Sequence, residues 1–213
     1  MDAQRLRWKI YPTAAVNHPV LPIIYLASRS PRRVELLRQI GLSCEILPSD
    51  IDETQLLNES PESYVMRLAQ QKAEACLQGL GGVARESPIL AADTTVVLNG
   101  EVLGKPNDAQ DAYQMLRALS GTVHAVHTAV AIAFKGSTEV VLSITKVEMM
   151  PLTDPQIEAY IASGEHQDKA GSYGIQGLAG AWIKHIEGSY TGVMGLPIYE
   201  TAALLRKHGI GAF

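Results

Sequence analysis

Ile23-Ile24-Tyr25-Leu26-Ala27-Ser28-Arg29-Ser30-Pro31-Arg32-Arg33 is the stretch on which the fold turns. Its first five residues form a continuous apolar run, the pattern of a strand buried inside a central sheet. Pro31 to Ile40 follows with Leu36, Leu37 and Ile40 at helical spacing, so the segment reads strand, turn, helix. Ser30 suits the N-cap and Pro31 the first helical position, which leaves the backbone N–H groups of Arg32 and Arg33 free at the helix start. That end carries the positive pole of the helix dipole. Hydroxyls at Ser28 and Ser30, free N–H donors and paired arginines make a grip for a polyphosphate, with Arg suited to bidentate contact. The plain alternative is a capped helix carrying two solvated arginines.

The 213 residues make one ordinary globular domain or two small lobes, long enough to bury a real core. With 46% hydrophobic and 19% charged residues, the chain is neither disordered nor membrane-resident in composition. A formal charge of −4 argues against a nucleic-acid scaffold, whose many phosphate contacts need a basic surface. A small polyphosphate needs only a local cluster. Cys44 and Cys76 are too few for a disulfide framework or a cysteine zinc site and read as reduced core residues. No stretch reaches the ~18 to 20 apolar residues of a membrane span, and the start lacks the order of a secretory signal, so the cytoplasm is the default location. Residues 1–22 read as a flexible N-terminal extension, and 23–213 as a single folded domain.

Further along, Gly41 stops the first helix, Cys44 to Leu47 is a short strand, and Ser49 to Glu53 an acidic loop. Ser60-Pro61-Glu62 opens a long helix whose stripe of Tyr64, Val65, Leu68, Ala69, Ala73, Cys76 and Leu77 faces the core. Lys72 falls at the edge of that stripe, where a snorkelling stem is the common explanation. Ile89 to Leu98 is a buried strand turned at Asn99-Gly100 into Glu101-Val102-Leu103, and Asp108 caps a helix from Ala109 to Leu119. Val123 to Phe134 and Val140 to Met149 pair as a long hairpin through Lys135-Gly136-Ser137. Thr153-Asp154-Pro155-Gln156 is a capping box, Trp182 to Ile186 is strand-like, and a last helix lies around Leu196 to Lys207. Strands and helices mix in one α/β unit.

Asp93, in the middle of a β-branched apolar strand, is costly to bury unless it is paired, hydrogen-bonded or metal-bound. In a cleft it can take a proton from water or help hold a divalent cation. Lys105, after the Asn99-Gly100 hairpin, can return to the sheet end that carries Asp93. Asp168 to Gly177 holds three glycines, which permit close backbone approach to a ligand, and Gln176 offers both a donor and an acceptor to the edge of a base. Walker A and strand-linked Gly-x-Gly-x-x-Gly patterns are absent. His124 and His127 point to opposite faces of a strand, so they make no metal pair, and Gly-x-Ser-x-Gly is missing.

In order, Ser28-x-Ser30-Pro31-Arg32-Arg33, Asp52-Glu53, Ala92-Asp93-Thr94, Gly104-Lys105-Pro106, Asp168-Lys169-Ala170-Gly171-x-Tyr173-x-Ile175-Gln176-Gly177 and Gly195-Leu196-Pro197 resemble the Maf family of nucleotide pyrophosphatases. The resemblance implies a mixed α/β fold like the inosine triphosphate pyrophosphatases, with an elongated central sheet, two lobes and a cleft between them. It implies hydrolysis between the α and β phosphates of a nucleoside triphosphate with a divalent metal, Mg²⁺ or Mn²⁺, and a homodimer. The Ala-Asp-Thr, Asp-Lys-Ala-Gly and Ile-Gln-Gly forms are similar to the branch acting on dTTP and UTP. On this pattern Asp93 is the catalytic base, and Arg32, Thr94 and Gln176 mark substrate choice. Ser28, Ser30, Arg32, Arg33, Lys72, Lys105 and Lys169 would bind the substrate, and Glu53 with Asp93 would hold the metal. The rival expectation is a nucleotide-binding regulator of cell division and septum formation with little turnover.

Overall fold

A computed structural model describes residues 23–81 and 86–211; the expected N-terminal extension lies outside them. A single mixed sheet is ordered β2-β1-β3-β5-β6-β7, with β4 paired to β3 off that path. Its strands are β1 (Ile24–Leu26), β2 (Cys44–Ile46), β3 (Ile89–Leu98), β4 (Glu101–Leu103), β5 (Val123–Phe134), β6 (Ser137–Met149) and β7 (Ile183–Glu187). Helices are α1 (Pro31–Gln39), α2 (Pro61–Gly79), α3 (Ala109–Leu119), α4 (Asp154–Ala162), α5 (Tyr190–Val193) and α6 (Ile198–Lys207). The expected hairpin turn is shorter than its sequence indicates. Lys135 and Gly136 both take positive φ, and Ser137 already pairs with Phe134, because a two-residue turn of that handedness matches strand twist. The last helix starts at Ile198 rather than Leu196, since Pro197 serves as its N-cap and Leu196 is drawn back by a bond to the Thr191 carbonyl.

Alternation along β3 and β5 builds two different faces. Ala91, Ala129, Ala131 and Ala133 face α2, and their small side chains let Val65, Ala69, Ala73 and Cys76 pack closely on the sheet. The opposite face carries two separate apolar clusters. One gathers Leu26, Leu90, Val130 and Ile132 with Leu36 and Leu37 of α1 and Leu204 and Leu205 of α6. The other gathers Val96, Val126, Val147 and Met149 with Leu116 of α3, Ile157 and Tyr160 of α4, and Tyr173. Thr94 and Thr128, opposite each other on β3 and β5, form a polar seam between the two clusters.

The sheet edge decides where a ligand can enter. On one side β3 pairs with β5 over Ile89 to Val97. On the other, β1 pairs only with Ile89 and Leu90, and β4 only with Val96 to Leu98. Ala91 to Thr95 therefore face no strand on that edge among the described residues. This slot lies just past the carboxyl ends of the parallel strands β1 and β2, the place where open α/β sheets bind ligands.

Candidate active site

The turn after β1 shapes the first wall. Ser28 Oγ accepts the N–H of Ser30 at 3.2 Å and an Arg33 N–H at 3.0 Å. Ser30 stands at the N-cap of α1, but its hydroxyl makes no capping bond, contrary to the expected cap. With no side-chain cap, the first-turn N–H groups of α1 remain open toward the cleft, and Ser28 binds only the N–H of the N-cap residue itself. Arg33 is half-buried and pinned by three acceptors: Gly195 O at 2.8 Å, Ser28 Oγ, and Thr94 Oγ1 at 3.3 Å. Desolvation lowers its pKa from the ordinary arginine value, while Asp93 and Glu53 oppose that drop. Two of its five N–H groups are left for a ligand. Gly195 supplies its carbonyl from φ +108°, a conformation that side-chain-bearing residues rarely adopt. Arg32, by contrast, has no hydrogen-bond or ion-pair partner among the described residues.

The second wall comes from the α2 face. Asp93 is 8% exposed. The ammonium of Lys72 reaches it at 2.6 Å and Glu53 at 2.7 Å. Lys72 is thus no snorkelling stem but a part-buried bridge between two carboxylates, and Lys105 approaches the other oxygen of Glu53 at 3.7 Å. Burial pushes Glu53 upward, but its hydrogen bond and charge attraction to Lys72, with Lys105 and Arg33, outweigh this and hold it below the usual glutamate value. Tyr64 donates to the Glu53 carbonyl at 3.0 Å, fixing the acidic loop to α2. Asp93 and Thr94 lie on opposite faces of β3 yet both reach the cleft, because the cleft wraps around the uncovered strand edge.

The third wall is the segment after α4. Gly171 N–H donates to Gly104 O at 3.0 Å, so this segment is tied to the residue before Lys105. Gly171 has φ +65°, and a Cβ there would stand 2.8 Å from Val96. Tyr173 meets Nε2 of His124 at 2.7 Å, and Tyr160 accepts the N–H of Gly174 at 3.1 Å. The Lys169 stem lies over Gly174, where a Cβ would come 2.8 Å from its Cε. Desolvation first, then the nearby Arg32 charge, lower the Lys169 pKa, with Glu165 and Asp168 resisting. Gln176 is exposed, with no side-chain partner among the described residues.

All eleven residues singled out in the sequence line one cleft of about 840 Å³. Six cations, Arg29, Arg32, Arg33, Lys72, Lys105 and Lys169, face five carboxylates, Asp50, Glu53, Asp93, Glu165 and Asp168. A chain of net charge −4 thus keeps a pocket in which cations slightly outnumber carboxylates. Four contributors were not foreseen: Thr128, Tyr64, the His124–Tyr173 pair and Glu165. Thr128 donates to Gly192 O at 2.8 Å and lies 3.1 Å from the Thr94 hydroxyl. His124 and His127 do point to opposite faces, toward Tyr173 and Glu62.

The family model described as Maf-like protein matches residues 23–208. The dTTP/UTP pyrophosphatase of Methylobacillus flagellatus is 56% identical over 187 residues, covering 88% of this chain and 93% of that protein. That of Chromobacterium violaceum is 54% identical over 187 residues, 87% and 94% respectively. That of Ralstonia nicotianae is 51% identical over 209 residues, 93% and 98%. Among solved structures, the Ham1 protein of Staphylococcus aureus aligns at TM-score 0.43 and 17% identity over 59% of this chain and 71% of that one, a likeness too low to carry weight. A match along nearly the whole described unit, joined to relatives more than half identical, means that the chain belongs to the family of Maf-like proteins.

Proposed function

We propose that this chain hydrolyses the α–β phosphoanhydride of dTTP and UTP, releasing the nucleoside monophosphate and pyrophosphate. The observation that carries this reading is the Glu53–Lys72–Asp93 bridge at the uncovered edge of β3, facing the cations of the phosphate walls. The relatives named dTTP/UTP pyrophosphatase support the same chemistry.

The triphosphate lies against the first turn of α1, with Arg32, Lys105 and Lys169 joining the pinned Arg33 as its cations. Asp93 orients the attacking water and accepts its proton as the new P–O bond forms. The bridging P–O bond breaks, its electron pair leaves on pyrophosphate, and the surrounding cations offset the developing charge. Gln176 offers an amide donor and acceptor to the N3–H and carbonyl edge of thymine or uracil. Thr94, committed to Arg33 and Thr128, influences substrate choice by holding that guanidinium in place.

Glu53 and Asp93 carry the hard oxygen donors that suit Mg²⁺ or Mn²⁺, and the Lys72 ammonium, 2.7 and 2.6 Å from them, shows that the pair holds a cation between them. Among the described residues no group of three or more His, Cys, Asp or Glu side chains gathers. The remaining ligands would be phosphate oxygens and water, the usual arrangement for Mg²⁺. When bound, the ion would add positive charge at the phosphate oxygens.

The test separates products from dTTP, UTP, CTP, GTP and 7-methyl-GTP, with and without Mg²⁺ or Mn²⁺. Monophosphate and pyrophosphate from dTTP and UTP, dependent on the ion, is the expected result. Orthophosphate as first product overturns the reaction, and tight binding without turnover favours a nucleotide-binding regulator.

A further inference from the structure

We propose that Glu165 is a positioning residue that sets how strictly the cleft selects its base, by clamping the turn that presents Gln176. The inference rests on Gln176 as the base reader in the proposed function.

Glu165 follows α4 after a short turn in which its own N–H donates to Ser163 Oγ at 3.3 Å. From the cleft wall its Oε2 accepts the N–H of Leu178 at 2.9 Å. Gly177 lies between that donor and Gln176. A Cβ on Gly177 would stand 2.0 Å from Oε2 and 2.7 Å from the carboxyl carbon, so the carboxylate occupies the space that any side chain there would need. Gly177 has φ −102° and ψ −152°, so no left-handed φ demands glycine here, and the obstacle to a side chain is the carboxylate seat. The Gly177 N–H closes the turn on Gly174 O at 3.1 Å. The Gln176 amide has no hydrogen-bond partner among the described residues, so the backbone of this turn sets its aim. An unclamped turn spreads that aim, so the amide no longer discriminates between base edges as strictly when the nucleotide binds. Glu165 also opposes the burial-driven loss of charge on Lys169, a separate effect that an uncharged isostere removes.

Four proteins separate these effects: wild type, Glu165→Ala, Glu165→Gln and Gly177→Ala. The amide oxygen of Glu165→Gln still accepts from Leu178, whereas Gly177→Ala displaces the carboxylate without altering it. Thymine and cytosine differ at the edge Gln176 would read, a carbonyl acceptor against an amino donor. Binding is measured with the α,β-methylene analogues of dTTP and dCTP, which cannot be cleaved at the α–β bridge, and turnover with dTTP and dCTP. In Glu165→Ala and Gly177→Ala the preference for the thymine nucleotide falls on the order of tenfold, carried by KM rather than kcat. Glu165→Gln stays within about threefold of wild type, as expected where the acceptor is kept. An unchanged preference in both Glu165→Ala and Gly177→Ala, a loss confined to kcat, or a Glu165→Gln as impaired as Glu165→Ala overturns the clamp. A wild type that binds the thymine analogue selectively but releases no pyrophosphate overturns the hydrolytic reading and leaves the clamp to be scored on binding. A wild type with no preference between the analogues overturns the clamp itself.

Discussion

Lys72 holds Glu53 and Asp93 on one nitrogen, and its removal leaves two carboxylates close together with little water around Asp93. Lys72→Met is expected to cost about 3 kcal/mol of stability, because breaking a buried pair strands its partner. It also removes the interaction that keeps Glu53 low, so the acid limb of activity moves to higher pH. Urea unfolding at neutral pH and a pH–rate profile check the two effects. Asp93→Asn keeps the shape and loses the proton acceptor. Turnover of dTTP should fall at least ~100-fold while nucleotide affinity stays near wild type, and hydrolysis at the normal rate removes Asp93 from its role. Asp93 was legible because a carboxylate in a run of Ala, Thr and Val must be paired, hydrogen-bonded or metal-bound once it is buried. Lys72 was less so: one cation at the margin of an apolar stripe looks the same whether its head reaches water or a buried carboxylate, and only the tertiary fold decides. Glu165 gave no local signal, since its meaning depends on a glycine twelve residues later.

The segment joining α4 to β7 is held by buried polar contacts that respond to acid. Burial takes the His124 imidazole down to about 4. A histidine depressed in the folded state contributes stability that is full above its unfolded value near 6.5 and is lost as pH falls through 6.5 toward 4. The loss amounts to about 3 kcal/mol at pH 4. His124→Gln, which keeps a partner for Tyr173 but does not titrate, should show a correspondingly flatter decline between pH 7 and 4 in urea unfolding. The junction of α5 and α6 is fixed by Gly195. Gly195→Ala places a side chain at φ +108° for a strain of about 1–3 kcal/mol. It also loosens the carbonyl that holds Arg33, so KM for dTTP should rise. Helix starts at Ser60, Asp108 and Thr153 were readable because caps are local chemistry. The Lys135-Gly136 turn was read one residue too long because Ser137 fits a turn and a strand end equally.

Across the molecule, the two apolar clusters are not independent, since β3 and β5 run through both. Unfolding should therefore be one transition. Trp182, packed 4.9 Å from Tyr160, reports one cluster, and far-UV circular dichroism reports the whole. Coincident urea curves are expected, and separated midpoints would show the clusters melting apart. Mixed α/β architecture was legible from the alternation of apolar runs and capped helices. Which loops meet was not, because it depends on β1 and β4 sharing one edge of β3, a pairing no local pattern encodes. That shared edge has a consequence for length. From Leu90, the last residue paired to β1, to Val96, the first paired to β4, β3 advances six residues, about 20 Å at strand rise. The strand thus acts as a gauge, with α1 at one end and Lys105 at the other. Inserting two residues between them would keep every side chain on its own face yet part the ends by about 7 Å, mismeasuring the nucleotide without removing one contact group. Inserting a single residue would turn the strand over between the two ends, so that β4 and Lys105 no longer followed Asp93 on the same side of the sheet.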